Sequence, residues 1–383
     1  MVTTSTLQVT SRRSLLKGVL VAGGLAAVSI GGVQPSLAAA SVTRRTRHIF
    51  PASGALLGVY VSGNDFVTAD KMAEEAGRTF AITKGYYDMG SGTVPTPFQR
   101  DGANIDGSLI HISLALNCNS GQAYNSRLPA PLRSTATKQV WTYKQVTSGK
   151  MDAYFYWLAR QTQAVGRNFT ICVNHEPENQ ANGVGRNESF SDPTWYSSRA
   201  STSTAYRQGI LKEYADAMRH VSAIFVAAGT TRARWMNTFA SIGSNGAEYN
   251  RWVYPALWPG DDVIDVFAWD PYDSSNNKTP LSTFRFGYDL VRNGLVDAAP
   301  FYVGTGAKNK PFMLGEYGTS SVAGAAYVSD WLAKVPGALS QLPQIKGLTY
   351  WSSSAYAVHN NTTTRRAFAD ASRQPYVAYM PAA

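Results

Sequence analysis

The sequence predicts an α/β protein of the (β/α)8, or TIM, barrel class, and two observations carry this prediction. Eight short apolar segments have the length and character of buried strands, and amphipathic segments with helical spacing separate most of them. Repeated strand, helix, strand units form parallel sheets, and eight such units are enough to close a barrel. The runner-up is an open doubly wound sheet. However, the segment VSGNDF after the first strand lacks the glycine-rich phosphate turn that such sheets usually carry.

The strand candidates are distributed over most of the chain. They are residues 55–63, 79–88, 109–116, 168–176, 233–241, 262–273, 311–319 and 345–354. Helices are predicted at 68–78, 150–165, 203–225 and around 328–335, where apolar residues recur every three or four positions. Residues 178–203, rich in Asn, Ser and Gly, predict a long loop after the fourth strand, a place where barrel loops often carry function.

The first forty residues predict a twin-arginine export signal. Arg12 and Arg13 precede a short apolar stretch at 18–30, and Ala38 to Ala40 supply an A-x-A cleavage site. The apolar stretch is too short and too rich in glycine for a membrane-spanning helix. We therefore expect a signal peptide at 1–40, a linker at 41–54 and a single catalytic barrel domain at 55–383. The mature protein is expected to be secreted and free of the membrane.

Charge and composition narrow the possible functions. Loss of Arg12, Arg13 and Lys17 with the signal lowers the formal net charge from +10 to +7, and the remaining basic residues form no block. This pattern argues against a nucleic-acid-binding module and favours a solvated basic surface, with weak attraction to acidic wall polymers as the alternative. Cys118 and Cys172 lack metal-ligand spacing, and two buried thiols are at least as well supported as one disulfide.

Two glutamates occupy equivalent positions on the predicted barrel. Glu176 and Glu316 follow apolar segments at the C-terminal ends of the fourth and seventh strands, and these ends form the active-site rim of such barrels. Two carboxyl groups facing one cavity suit glycosidic cleavage, in which one protonates the leaving oxygen and the other attacks the anomeric carbon. The alternative for any single glutamate is a solvated surface charge. Glu178 competes with Glu176, but it lies beyond Pro177 and is assigned to the loop.

Four segments carry a family resemblance: NHEPEN at 174–179, LWPGDDVIDVFAWDPYD at 257–273, GEYGT at 315–319 and TYWSSS at 349–354. Together they resemble glycoside hydrolase family 26, a retaining clan A family of (β/α)8 enzymes best known as β-mannanases. The resemblance implies that Glu176 is the acid/base and Glu316 the nucleophile. It further implies that His175 supports the acid, that Tyr272 hydrogen-bonds the nucleophile, and that Trp351 forms the floor of a sugar subsite. The alternative for these last three residues is a structural role in the barrel.

The sequence also departs from the family pattern. Family members often carry an arginine ahead of the His-Glu pair and Met-Asn-Gly after it, whereas Asn174 and Pro177-Glu178-Asn179 stand here. The catalytic pair is unaffected by this difference, but it leaves the preference for mannan open. Further candidate stacking platforms for substrate are Trp195, Trp235, Trp258 and Trp269.

The expected function is that of a secreted retaining endo-β-glycosidase that hydrolyses a β-linked polysaccharide, with β-mannan as the first substrate to consider. No metal or organic cofactor is expected, and the polysaccharide is the expected partner of a monomeric chain. The alternative is a barrel protein that binds carbohydrate without cleaving it. A serine hydrolase is disfavoured because no G-x-S-x-G turn occurs. A zinc peptidase is disfavoured because Asn179 stands where a second histidine belongs after His175.

Overall fold

Eight parallel strands form a closed barrel, as the sequence predicts. The computed structural model of the protein describes residues 49–88, 109–118, 139–140, 142–178, 204–240, 253–293, 295–296, 299–300 and 304–377. The predicted signal segment and most of the loop predicted after the fourth strand lie outside these residues. The strands are β1 Leu56–Val61, β2 Ile82–Asp88, β3 Leu109–Ala115, β4 Asn168–Val173, β5 Ala233–Phe239, β6 Val266–Trp269, β7 Phe312–Thr319 and β8 Ile345–Ser352.

The strand order follows the order of the chain. Each strand pairs in parallel with its sequence neighbour, and β8 pairs with both β7 and β1, which closes the sheet. At this last junction Tyr60 lies opposite Trp351 in the register. All C-terminal strand ends therefore lie at one rim, so residues far apart in the chain are brought together there.

Helices cover the outside of the barrel. The longer ones are α1 Phe66–Glu75, α2 Asp152–Val165, α3 Thr204–Ala227, α4 Pro280–Asn293, α5 Ala325–Ser340 and α6 Thr362–Ser372. Shorter helical turns occupy Tyr143–Thr147, Tyr254–Ala256, Gly304–Ala307, Ser321–Ala323 and Ser354–Tyr356. Two-residue strands occur at Asn117–Cys118, Gln139–Val140, Tyr272–Asp273, Leu295–Val296 and Ala299–Pro300. Within the described residues, no helix combines the length and the apolar character that crossing a bilayer requires.

Side chains alternate between the two faces of the barrel wall, because successive residues of a strand point to opposite sides. The outward set packs under the helices as the main core; on β1 it comprises Leu57, Val59 and Val61. A second core fills the barrel interior, and Ile49 joins it from the chain ahead of β1. Its strand residues include Leu56, Ile82, Leu109, Cys172, Met236, Val266 and Met313. Cys172 is a free, buried thiol.

An irregularity in β7 interrupts this alternation near the rim. The pairing of β7 with β8 shifts register between Leu314 and Tyr317, and both of these side chains belong to the outer core. The two residues between them therefore share the inner side, as in a β-bulge that re-aims a side chain. One of them is Gly315, where an added Cβ would lie 2.7 Å from Asp270 Oδ1 and 2.8 Å from Thr238 Cγ2. Glycine is thus required for this close approach, and the next residue is Glu316.

Candidate active site

Three donors hold the carboxylate of Glu316 at the rim end of β7. Lys84 Nζ donates to Oε1 at 2.7 Å, the Tyr86 hydroxyl donates to the same oxygen, and the Tyr272 hydroxyl donates to Oε2 at 2.5 Å. The hydrogen bond predicted for Tyr272 is therefore present. Burial alone would favour the neutral acid, but the Lys84 charge, nearby His175 and these hydrogen bonds more than offset it, so the pKa of Glu316 is lowered. The structure favours Glu316 as a fixed, ionised carboxylate.

Glu176 lies just beyond the end of β4 in an unusual backbone conformation. Its φ of 54° is in the left-handed region, which costs about 1 to 3 kcal/mol for a residue other than glycine. Its backbone N–H donates to the Thr238 carbonyl at 3.2 Å, which helps to fix this turn. Its carboxyl group hydrogen-bonds Asp270. Burial, followed by the charge of Asp270, raises the pKa of Glu176 to about 8. Glu176 is therefore a protonated acid at neutral pH.

Asp270 connects the two glutamates from the end of β6. Its Oδ1 accepts the backbone N–H of Glu316 at 2.7 Å, and its other oxygen lies 2.7 Å from Nε2 of His175. The same histidine nitrogen lies 3.4 Å from Oε1 of Glu316. Burial and the charge of Glu316 raise the pKa of Asp270 well above its usual range. Asp270 and Glu176 thus share a proton, while His175 stands between Asp270 and Glu316.

The two glutamates are therefore held in opposite proton states at one rim. Lys84 and two tyrosine hydroxyls stabilise the charge of Glu316, whereas burial and Asp270 stabilise the neutral form of Glu176. The pKa values of both tyrosines, Tyr86 and Tyr272, are raised well above the ordinary value by burial, so their hydroxyls remain donors. Environments that separate the pKa values of two neighbouring acids are how proteins build an acid and a nucleophile from the same residue type.

Aromatic rings border this site. Trp351, at the end of β8, stacks on Tyr60 with ring centroids 4.4 Å apart and planes 14° from parallel, and Tyr86 meets it edge-on at 5.7 Å. On the other side, Tyr272 packs against Tyr356 at 4.7 Å. Trp351 is partly exposed at the rim, with one face covered by Tyr60. Its uncovered side is the part of the ring that a sugar could contact.

Two tryptophans predicted to bind substrate lie elsewhere. Trp235 and Trp269 are 1% and 2% exposed and belong to the outer core beneath the helices. Trp235 packs edge-on against Phe225 at 4.9 Å, and Trp269 packs edge-on against Phe312 at 5.7 Å. The prediction that these two rings stack on substrate is wrong, because they point outward from the barrel wall and no sugar can reach them.

A third candidate platform, Trp258, packs against the outer core. Trp258 is partly buried, and its indole N–H donates to Asp261 at 3.1 Å. Its ring packs at 5.7 Å on Phe267, whose side chain belongs to the outer core. Trp195 lies outside the described residues.

Glu178, assigned to the loop after the fourth strand, is not a solvated surface charge. Its side chain is fully buried, and Oε1 accepts the backbone N–H of Ala240, while Oε2 has no hydrogen-bond partner among the described residues. Burial raises the pKa of Glu178 well above its usual range. Asn174, which stands where the family often has arginine, is buried too. It accepts from the Leu116 N–H at 2.9 Å and donates to the Tyr143 hydroxyl at 2.8 Å, so it fixes the end of β4.

A metal ion is poorly suited to this site. His175, Asp270 and Glu316 place one ligand atom each within 4.8 Å of one another, a spacing that could surround an ion. However, the Lys84 ammonium already binds the Glu316 oxygen nearest to His175, and its charge would repel a divalent cation. We therefore do not assign these residues as metal ligands.

Sequence reasoning missed four residues that surround the carboxylates. Lys84, Tyr86 and Tyr60 lie on strands, and Asp270 was seen within the WDPYD segment but given no role. Alternation along β2 predicts their orientation: Lys84 and Tyr86 lie two and four residues after Ile82, whose side chain points into the barrel, so they should point inward as well. A lysine at such a position must find a buried counter-charge, and Glu316 provides it.

Comparison with known proteins supports the fold. No protein-family model matches the chain. Among curated proteins, Endoglucanase H from Acetivibrio thermocellus is 27% identical over 191 residues, which cover 49% of this chain but 18% of that protein. The chain therefore spans less than a fifth of the curated relative that it matches.

Several solved structures share the barrel over most of its length. A family 26 β-mannanase from Bacteroides ovatus is 16% identical with a TM-score of 0.53, and the match covers 86% of this chain and 91% of that one. A modular endo-β-1,4-mannanase from Cellulomonas fimi has the same identity and TM-score, with 85% of this chain and 71% of that one covered. A Bacillus subtilis mannanase is 15% identical with a TM-score of 0.50. The chain thus has the fold of family 26 mannanases, which confirms the predicted resemblance at the level of the fold.

Proposed function

We propose that the protein is a secreted retaining endo-β-glycosidase in which Glu176 is the acid/base and Glu316 the nucleophile. The observation that carries this proposal is the arrangement of the two glutamates around Asp270 at one rim. The Glu176 carboxyl group hydrogen-bonds Asp270, and its pKa is raised. Asp270 also accepts the backbone N–H of Glu316, whose carboxylate is held by Lys84, Tyr86 and Tyr272 with a lowered pKa. Glycosidic cleavage needs one protonated and one ionised carboxyl at the reacting bond. The fold shared with family 26 mannanases and the partial match to an endoglucanase support the same class of reaction.

The reaction would proceed by double displacement. In the first step the Glu316 carboxylate attacks the anomeric carbon as the glycosidic C–O bond breaks, and Glu176 gives its proton to the leaving oxygen. In the second step Glu176 takes a proton from water, the water oxygen bonds to the same carbon, and Glu316 leaves as the carboxylate. The hydrogen bonds from Tyr86 and Tyr272 would aim the Glu316 oxygens. The partly exposed Trp351 would support the sugar ring.

β-Mannan is the first substrate to test. Solved structures with this fold include proteins named as mannanases, whereas the curated relative is named as an endoglucanase, so a β-glucan is the competing substrate. The absence of the family's arginine before His175 leaves this choice to experiment. Purified protein should be assayed for new reducing ends on mannan, glucomannan, xylan, mixed-linkage glucan and curdlan. Early appearance of mixed oligosaccharides, rather than a single small product, would support internal cleavage.

The catalytic assignment is tested with two variants and one control. Glu316→Ala and Glu176→Ala should each abolish polysaccharide hydrolysis while the far-ultraviolet circular dichroism spectrum stays unchanged. Azide should partly restore turnover of an activated aryl glycoside by Glu316→Ala as the α-glycosyl azide, because the small anion fills the space of the lost carboxylate. Glu213→Ala, which removes a glutamate paired with Lys144 on the helical exterior, should retain activity. Unchanged hydrolysis by Glu316→Ala would reject the assignment.

Stereochemistry provides an independent test. Proton NMR of the first product should show the β-anomer before mutarotation, since two inversions retain configuration. Initial release of the α-anomer would rule out a covalent intermediate on Glu316. Saturable polysaccharide binding without any reducing ends would instead support the non-catalytic carbohydrate-binding barrel. The opposed proton states of Glu176 and Glu316 favour the enzyme over that alternative.

Export and assembly state are further parts of the proposal. The paired arginines, the apolar stretch and the A-x-A site support export through the twin-arginine route. Replacing Arg12 and Arg13 by lysine should retain the precursor inside the cell, and N-terminal sequencing of the exported wild-type protein should begin near Ser41. We propose a monomer, which sedimentation equilibrium of the mature protein would test.

A further inference from the structure

Lys84 is buried at the centre of the proposed site. It lies on β2, is 1% exposed, and donates to the Gly315 carbonyl at 3.0 Å as well as to Glu316 Oε1 at 2.7 Å. Its Nζ lies 4.8 Å from the ring centroid of Tyr86 and 6.0 Å from that of Trp351. Lysine is almost never fully buried unless it is paired, so this ammonium has a specific electrostatic partner, and that partner is the proposed nucleophile.

We propose that Lys84 is a positioning residue that holds Glu316 ionised before the first displacement and favours its release as a carboxylate in the second. This inference rests on the proposed function, because it assigns Lys84 a part in a reaction at Glu316.

Lys84 is needed to keep Glu316 ionised because other acidic groups face Glu316. Glu176 and Asp270 approach it from β4 and β6, and each disfavours a further negative charge. The other titratable or charged groups around Glu316 and Lys84 are Tyr60, Tyr86, His111, His175 and Tyr272. Burial and the Lys84 charge lower the pKa of His111 well below its usual range, so His111 supplies no positive charge. Lys84 therefore provides the main counter-charge for Glu316.

The second part follows from charge balance along the reaction. When the Glu316 oxygen bonds to the anomeric carbon and the leaving oxygen takes the Glu176 proton, the carboxylate becomes a neutral ester. The negative charge has then moved to Glu176, and the buried Lys84 ammonium has lost the charged oxygen that it contacts at 2.7 Å, which is unfavourable. When water attacks and the ester C–O bond breaks, its electron pair returns to Glu316 and the ion pair with Lys84 forms again. Lys84 thus destabilises the covalent intermediate relative to the carboxylate and promotes its hydrolysis.

The test compares three replacements of Lys84. Lys84→Met removes the charge with little change in volume, Lys84→Gln keeps hydrogen-bond donors without the charge, and Lys84→Arg keeps the charge. Lys346→Met is the matched control, since Lys346 lies at the opposite end of β8 and donates to the Ala52 carbonyl at 2.8 Å. Circular dichroism melting curves establish that each variant folds.

The first readout is kcat/KM against pH with 2,4-dinitrophenyl β-mannobioside. The acidic limb of this profile reports the ionisation of Glu316. In Lys84→Met and Lys84→Gln it should move upward by about 1 to 3 pH units, the usual effect of losing a nearby opposite charge. In Lys84→Arg and Lys346→Met the limb should stay in place. A purely structural role would lower activity at every pH without moving the limb, and that result would overturn the inference.

The second readout is the balance between the two chemical steps. With the same substrate, Lys84→Met and Lys84→Gln should show a burst of dinitrophenol, because hydrolysis of the covalent intermediate becomes the slow step. Both kcat and KM should then fall by about tenfold or more, the factor that corresponds to one pKa unit. Unaltered kcat and KM would contradict the second part. If neither neutral variant folds, the wild type decides, since its acidic limb should lie below pH 4.5, the ordinary value for glutamate. A wild-type limb at or above pH 4.5 would overturn the inference.

Failure of the proposed function is distinguishable from failure of this inference. Incubation of the wild type with 2-deoxy-2-fluoro-β-mannosyl fluoride, followed by peptide mass spectrometry, should place the label on Glu316. Absence of label, together with no new reducing ends from any of the five polysaccharides, would reject the proposed function itself. Label on Glu316 together with an unmoved acidic limb in both neutral variants would reject only the role of Lys84.

Discussion

The protonated state of Glu176 should make the protein less stable as the pH rises. An ordinary glutamate ionises near pH 4.5, whereas burial raises the pKa of Glu176 in the folded protein to about 8. Between these values the folded state holds a proton that the unfolded state has lost, so the free energy of unfolding falls with increasing pH. From about pH 5 to about pH 7 this single group should lower it by about 2.5 kcal/mol.

Glu176→Gln removes the titration but retains the shape and a donor for Asp270. Urea unfolding followed by tryptophan fluorescence should be measured for both proteins at about pH 5 and about pH 7. The stability of the variant relative to the wild type should rise between these pH values by about 2.5 kcal/mol. A difference that is the same at both pH values would refute the reasoning, because Glu176 would then ionise alike in the folded and unfolded states. Glu213→Gln provides the reference for losing one glutamate from the helical exterior.

Three further outcomes test other parts of the site. The pH profile of kcat/KM should fall above about pH 8, where Glu176 loses the proton it must donate; a constant rate to pH 10 would contradict this role. Tyr272→Phe removes a hydrogen bond to the Glu316 carboxylate and should lower kcat/KM roughly 10- to 100-fold without changing the melting temperature, as steady-state kinetics would show. Trp269→Ala should lower the free energy of unfolding by about 3 to 5 kcal/mol and leave KM unchanged. Trp351→Ala should instead raise KM by up to about tenfold with little loss of stability. The reverse pattern would indicate that Trp269 binds substrate.

The fold was predictable because strand and helix periodicities agree along the chain. All eight strand candidates are present, and the two glutamates stand at the rim ends of β4 and β7 as expected. The side of the barrel wall on which Glu316 lies does not follow from the sequence pattern. Strict alternation from Met313, which points inward, would turn residue 316 outward, and only the irregularity beside Gly315 brings it to the inner side. Such an irregularity depends on pairing between β7 and β8, which a single strand pattern does not contain.

The wrong predictions for Trp235 and Trp269 rest on residue type and ignore which face of the strand each side chain occupies. Trp269 precedes Asp270 directly, so the two side chains must lie on opposite sides of the wall if Asp270 faces the site. The tryptophan therefore belongs to the outer core. Lys84 was overlooked for the opposite reason, because a lysine within a strand pattern suggests exposure. Its role emerges only when Glu316, 232 positions away, is placed beside it.

Closure of the sheet has a consequence for how activity is acquired. Tyr60 and Trp351 stack across the junction of β1 and β8, the earliest and latest strands of the barrel. A chain lacking its final strand has no partner for that ring and no complete wall behind Lys84 and Tyr86. A nascent or truncated polypeptide should therefore lack hydrolytic activity, even after its helices have formed. On refolding, hydrolytic activity should return only when β1 and β8 have paired.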